Sequence, residues 1–413
     1  MDLFAKNCLP WVLLLSLLLA SGCGERKLGS PTPQMDAPEE FWVRVLLEEE
    51  LTQCLVLTDS GFQVIIPDNE SAQPPFQHPA GTVKLHTEDG HIILSNQAFA
   101  APRIVIFPHE PYVFKLNGIA YRGKLQVTAG PAGDFELINL VPLEPYLAGV
   151  VGAEMPQYWE PQALRAQAVA ARTYCMYIKK RFGTGRSWDV RKTQANQVYL
   201  GLAAESAQIW KAVNSTAGDV LMSRHPDGTK ALFPSYYSAA CGGHTENAEN
   251  VFGEHCAHLS GVECPYCRHV ARPGLFLWPM VKIEKQAATA SLFQKYPQLK
   301  RLGQIAQITP AQVSRYGGFE RITSIKLTGS GNSTDFLRAE DFRLTLDPTG
   351  RRIRSTAFKI SDGGRHWVFF GGRGYGHAAG MCQCGAQYLA RRGKAANLIL
   401  KHYYPDSEIT SLY

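Results

Sequence analysis

The stretch VVGAEMPQYWEPQALRAQAVAARTYCM, residues 150–176, sets one acid, Glu154, among small and apolar residues just ahead of a strongly patterned segment. A carboxylate in such surroundings has a raised pKa and can give or take a proton near neutral pH. The same residue is equally able to cap the following helix or to pair with an arginine. Two further stretches carry chemistry-bearing residues far away in the chain. SYYSAACGGHTENAENVFG (235–253) joins hydroxyls to a Cys-Gly-Gly-His run, and GRGYGHAAGMCQCGAQYLARRG (372–393) places His377 in a glycine-rich loop. Gly374 to Ala379 fits a loose dinucleotide-binding pattern, but too little chain follows to complete a βαβ unit, so no nucleotide cofactor is expected.

The cysteines form a second candidate constellation. Cys264-Pro-Tyr-Cys267 has the knuckle spacing of a tetrahedral metal site, and Cys241 and Cys256 lie upstream. These four are a candidate set for a structural zinc, for two disulfides if the chain is exported, or for free thiols. His244, His255, His258 and His269 lie in the same segment. If the second and third stretches converge, Cys382 or Cys384 is able to join Cys241. Cys54 and Cys175 read as small buried hydrophobes.

Pro161 suits a helix start, and Leu164, Ala168, Ala171, Cys175, Ile178 and Phe182 recur at helical spacing until Gly183 and Gly185. The alanines on that face allow another element to approach closely. Residues 140–149 read as a proline-punctuated connection into this region. A second helix is expected over 205–215, a third over 282–297, and two short ones after Met381 broken at Gly393. Strands are expected as a hairpin over 42–66, then over 82–94, 103–107, 112–139, 231–240, 319–329, 336–345, 355–361 and 366–371. The fold class is therefore α+β: a β-rich N-terminal part and interleaved strands packed around a central Ala-rich helix.

The chain has 413 residues, enough for a large core, with 42 Lys and Arg against 36 Asp and Glu. No basic run occurs, so nucleic acid is not an expected partner. Leu9 to Leu19 is an apolar run, preceded by Lys6 and followed by Ala20-Ser21-Gly22-Cys23. Its length and small-residue end resemble an export signal of lipoprotein type, with Cys23 as the lipidation site. The expected organisation is a signal peptide over 1–22, a flexible tether over 23–39 and a β-rich part over 40–139. A core over 140–413 follows, with a Cys/His-rich insertion at 241–269. The expected location is the cell envelope, held to a membrane by the lipid anchor.

The three stretches, with YRGKL (121–125) and NLVPLEPYLAGVV (139–151), resemble the SpoIID/LytB family of cell-wall proteins. The resemblance implies a lytic transglycosylase acting on the β-1,4 bond from muramic acid to glucosamine in peptidoglycan glycan strands. The family's catalytic Glu falls on Glu154. One acid is then enough, because the sugar's own 6-hydroxyl attacks and a single carboxyl acts first as acid and then as base. Hydrolytic glycosidases usually need two carboxylates. Gln167 and Arg172 in the helix, Ser238, Gly242, Gly243 and Thr245 in the second motif, and His377 and Gln383 in the third are the expected sugar-binding and positioning groups. The LytB side of the family implies an alternative, a non-catalytic glycan binder that enhances a cell-wall amidase. Family members with zinc hold it just before a Gln-Val-Tyr motif, but here that stretch, DVRKTQANQVYLG (189–201), has no Cys or His.

Overall fold

The computed structural model describes residues 35–67, 75–183, 185–224 and 227–413. Cys23 and the expected signal and lipid-anchor segment lie outside the described residues. No helix among the described residues is long and apolar enough to cross a membrane.

The β-rich part is built from two sheets. A seven-stranded sheet runs in the order 190–191, Trp42–Leu51, Phe135–Pro142, Lys124–Ala129, Arg103–Pro108, Phe62–Ile65 and Phe76–His78. A six-stranded sheet centres on Gln53–Thr58 and Gly81–Glu88. The expected hairpin over 42–66 is therefore not one. Trp42–Leu51 pairs with Phe135–Pro142, whereas Gln53–Thr58 crosses into the other sheet and pairs with Gly81–Glu88. Gln53–Thr58 alternates buried and exposed positions and Trp42–Leu51 does so only over its first residues, so the pattern along the chain names no partner and the tertiary packing selects it.

The largest departure from expectation lies just before Glu154. Residues 140–149 are not a connection: helix α1 spans Leu143–Glu154, with Pro142 as its N-cap. Pro145 sits in the first turn, where its missing N–H leaves no bond unmade. Gly152 looks like a helix breaker, but a Cβ there would stand 1.9 Å from the Ala204 carbonyl oxygen. The glycine is what lets the 201–204 turn lie directly on α1. Glu154 thus ends a helix rather than sitting in a loop.

Helix α2 spans Pro161–Phe182, with Pro161 at its first position and Gly183 as its C-cap, as the spacing predicts. It is buried all round rather than on one face: every residue from Ala163 to Cys175 except Arg165 is buried. A helix enclosed on all sides is the centre of a fold. Packed on it are helices α1, Ala207–Asn214, Gln383–Arg391 and Ala396–Tyr403. One hydrophobic cluster joins the N-terminal sheets, α1, α2, the 241–267 segment and the C-terminal helices. The Cys/His-rich stretch at 241–269 therefore belongs to the main core. A second cluster, from Trp278 to Phe369, is formed by the chain between the second and third motifs. There Thr334–Arg338 is a strand but Ala339–Leu346 is a helix, against the expected strand over 336–345. Ala339 and Phe342 both face that cluster, and a spacing of three puts two residues on one side of a helix but on opposite sides of a strand.

Candidate active site

Glu154 ends α1 and is half-buried. Its Oε1 accepts a hydrogen bond from the Val198 backbone N–H at 3.1 Å, and its Oε2 accepts one from the Gln383 side-chain amide at 3.3 Å. Burial pushes its pKa up, opposed by those two donors, which favour the charged form. Among the described residues no cation pairs with it. It does not cap α2 either, because Glu160 holds the N-cap position.

The three motifs meet at this carboxyl. Tyr237–Ser238 pairs in parallel with Met381–Cys382, a two-residue ladder that delivers Gln383 to the end of α1. Gln383 begins the helix Gln383–Arg391, and Gln387 follows on the same face one turn later. The Gln383 amide reaches both Glu154 and the Oε1 of buried Gln167, at 3.4 Å. Gln387 accepts from the Glu160 N–H at 2.9 Å and so fixes the start of α2. The Gln167 Nε2 is buried without a hydrogen-bond partner.

Two residues absent from the sequence-based candidates complete the surroundings. Gln197 donates to the Tyr237 hydroxyl at 2.9 Å and to the Ala171 carbonyl at 3.2 Å, while accepting from Tyr146 at 3.0 Å. Burial, with the Glu154 charge next, raises the Tyr237 pKa well above its usual value, so the phenol stays protonated. The signal in the sequence is the Gln-Val-Tyr run at 197–199. Tyr158, 71% exposed, and half-buried Trp159 lie four and five residues beyond Glu154. They line a concavity of about 270 Å³ with Arg165, Gln208 and Lys211.

The remaining expected residues make no hydrogen bond to Glu154. Arg172 is fully buried and makes a two-pronged ion pair with Glu144, at 2.8 and 2.6 Å, and bonds to the Asp219 carbonyl. Glu144 is ten residues before Glu154, about 15 Å along α1. Arg172 is also turned about 140° from Gln167 around α2, so the two cannot serve one site. Thr245 exchanges hydrogen bonds with Val262 in a structural turn. Gly242 has φ +85°, and a Cβ there would press on the Arg373–Gly374 backbone at 3.3 Å, so the pair Gly242-Gly243 serves a tight turn packed on the third motif. Ser238 has a buried hydroxyl without a partner, and it sits against Gly376. His377 is half-buried against Phe252 and Tyr236, and its Nδ1 accepts from the Ala379 N–H at 3.0 Å. Burial lowers its pKa to about 4, leaving it neutral.

The cysteine set also changes. The sulfurs of Cys241, Cys264, Cys267 and Cys382 lie within 4.8 Å of one another, all buried. Cys256 is half-buried and outside this group; Cys382 takes its place through the same ladder that delivers Gln383. Cys54 and Cys175 are buried, as expected of small hydrophobes. In 189–201, buried Asp189 pairs with Arg44 at 2.7 Å.

The family described as "Stage II sporulation protein" matches residues 132–222, from the strand before α1 through the strand beyond α2. An uncharacterised protein of Brachyspira hyodysenteriae is 33% identical over 299 residues, 72% of this chain and 74% of that protein. Stage II sporulation protein D of Bacillus amyloliquefaciens is 30% identical over 288 residues, 66% of this chain and 75% of its own length. A Bacillus subtilis protein named "Amidase enhancer" is 26% identical over 306 residues, covering 64% of this chain and 40% of that protein. The similarity spans the helix that carries Glu154, and the chain belongs to the SpoIID family of stage II sporulation proteins.

Proposed function

We propose that the chain is a peptidoglycan lytic transglycosylase that cuts the β-1,4 bond from N-acetylmuramic acid to N-acetylglucosamine. The observation that carries this reading is the state of Glu154: one desolvated carboxyl, met only by neutral donors among the described residues. A group held this way keeps its proton to higher pH than a free glutamic acid, as an acid catalyst must. In the first step Glu154 gives its proton to the glycosidic oxygen as the C1–O bond breaks. In the second the carboxylate takes the proton of the muramic 6-hydroxyl, whose oxygen closes on C1 to leave a 1,6-anhydro end. Val198 N–H and the Gln383 amide support the charged form between the two steps. The exposed Tyr158 ring offers a face for a sugar on the approach side. Membership of a cell-wall family agrees with this substrate, and the Leu9–Leu19 run ahead of Cys23 supports action at the cell envelope after export.

The second reading, a glycan-binding enhancer of a cell-wall amidase, is favoured by the relative of that name. The two separate on one experiment. Glycan strands with and without stem peptides are incubated with the protein and the products weighed by mass spectrometry. Anhydro-muramyl ends that vanish with Glu154→Gln are the expected result. Binding without cleavage, together with faster turnover by an added amidase, overturns the enzyme reading.

A further inference from the structure

The buried cysteines Cys241, Cys264, Cys267 and Cys382 come from three separate parts of the chain yet place four sulfurs within 4.8 Å of one another. We propose that they bind one zinc ion as a tetrathiolate staple that ties the second motif, the 256–269 segment and the start of the Gln383–Arg391 helix together. Tetrahedral zinc with Zn–S bonds of about 2.3 Å sets sulfurs about 3.8 Å apart. The Cys241 and Cys267 sulfurs are 3.8 Å apart. Four mutually close sulfurs single out no pair, whereas a disulfide brings two to about 2.05 Å and leaves the others free to part.

The surroundings are built for thiolates. The backbone N–H groups of Cys241 and Gly385 both point at the Cys382 sulfur, at 3.3 and 3.4 Å. The Tyr403 hydroxyl lies 3.2 Å from the Cys264 sulfur. Such donors satisfy the lone pairs that a metal leaves on its ligands and fix the ligand orientation. Buried Arg321 donates to the Cys241 carbonyl and stands, with its buried partner Glu246 at 3.7 Å, beside a centre that is doubly negative once formed. Binding exchanges four thiol protons for one divalent cation, and no electron moves. Two disulfides in the same place need an oxidant to remove four electrons. Cys256 and Cys384 stand outside the ligand set.

Cys382 immediately precedes Gln383, so the metal also holds in place the amide that meets Glu154. That consequence rests on the proposed reaction; the metal site does not, and the test reads the metal directly. The full chain, purified without chelator and supplied with zinc, is expected to carry one zinc per molecule. Replacement by cobalt is expected to produce the charge-transfer absorption of a tetrathiolate. Cys382→Ser is expected to lose the metal, whereas Cys256→Ser and Glu154→Gln keep it, whatever the glycan assay shows. Stripping the metal is expected to lower Tm by roughly 5–10 °C. Should Cys382→Ser fail to fold, the stoichiometry and cobalt spectrum of the wild-type chain decide. Two disulfides, four free thiols with no bound zinc, iron in place of zinc, or full zinc retention in folded Cys382→Ser each overturn the proposal.

Discussion

Glu154 is held by a balance between burial, which favours its neutral form, and two hydrogen bonds, which favour its charged form. Its folded pKa is above the ordinary carboxyl value, so the folded chain binds more protons there than the unfolded one. That contribution to stability is complete at low pH and is lost as pH rises through the raised pKa. Glu154→Gln is therefore expected to melt at or above the wild-type temperature at neutral pH, while activity falls roughly 10²- to 10⁴-fold. Gln383→Ala removes a donor to the charged form, so the Glu154 pKa moves further up. The pH at which activity declines on the alkaline side is then expected to rise. The maximal rate is expected to drop about tenfold, the equivalent of one hydrogen bond. Thermal melts and a rate assay check Glu154→Gln, and a pH–rate profile checks the shift in Gln383→Ala.

Among the elements, α1 and α2 share the work of placing that carboxyl and are locked together at the end remote from it. Arg172 on α2 grips Glu144 in the first turn of α1, and it also bonds to the Asp219 carbonyl. Replacing it with Met leaves the partly buried Glu144 carboxylate without its cation, with only the Tyr413 hydroxyl and the Gly218 N–H as donors, and takes a donor from the Asp219 carbonyl. A loss of roughly 3–5 kcal/mol is expected in denaturant unfolding, with the substrate KM of the folded fraction unchanged. A rise in KM without loss of stability would return Arg172 to the substrate site. Helix α2 was legible because its apolar period is long and its ends are marked by Pro161 and Gly183. Helix α1 was not, since Pro145, Gly149 and Gly152 all read locally as breakers. Pro145 falls in the one turn that tolerates it, and Gly152 exists to admit the Ala204 carbonyl.

For the whole molecule, the division into two hydrophobic clusters matters most. The Glu154 surroundings belong to the first, while the chain between the second and third motifs forms the second. Leu292, fully buried in the second, is a test of their independence. Leu292→Ala is expected to cost roughly 2–5 kcal/mol while the pH–rate profile of Glu154 stays in place; a shifted profile would show the clusters to be coupled.

By themselves, the residues determined the α+β class, the central helix and an acid among small and apolar residues at position 154, which are local patterns of period, capping and composition. The grouping of that acid with two distant motifs came from the resemblance to a family. Only the tertiary structure decided which distant residues meet. Gln383 reaches the acid and links it to Gln167, Arg172 and Thr245 bond elsewhere, and Gln197 and Tyr237 join unannounced. The same holds for the cysteines, where Cys382 displaced Cys256. The physical reason is the two-residue ladder joining Tyr237–Ser238 to Met381–Cys382. Its hydrogen bonds are between backbones, so no side-chain pattern along the chain records them.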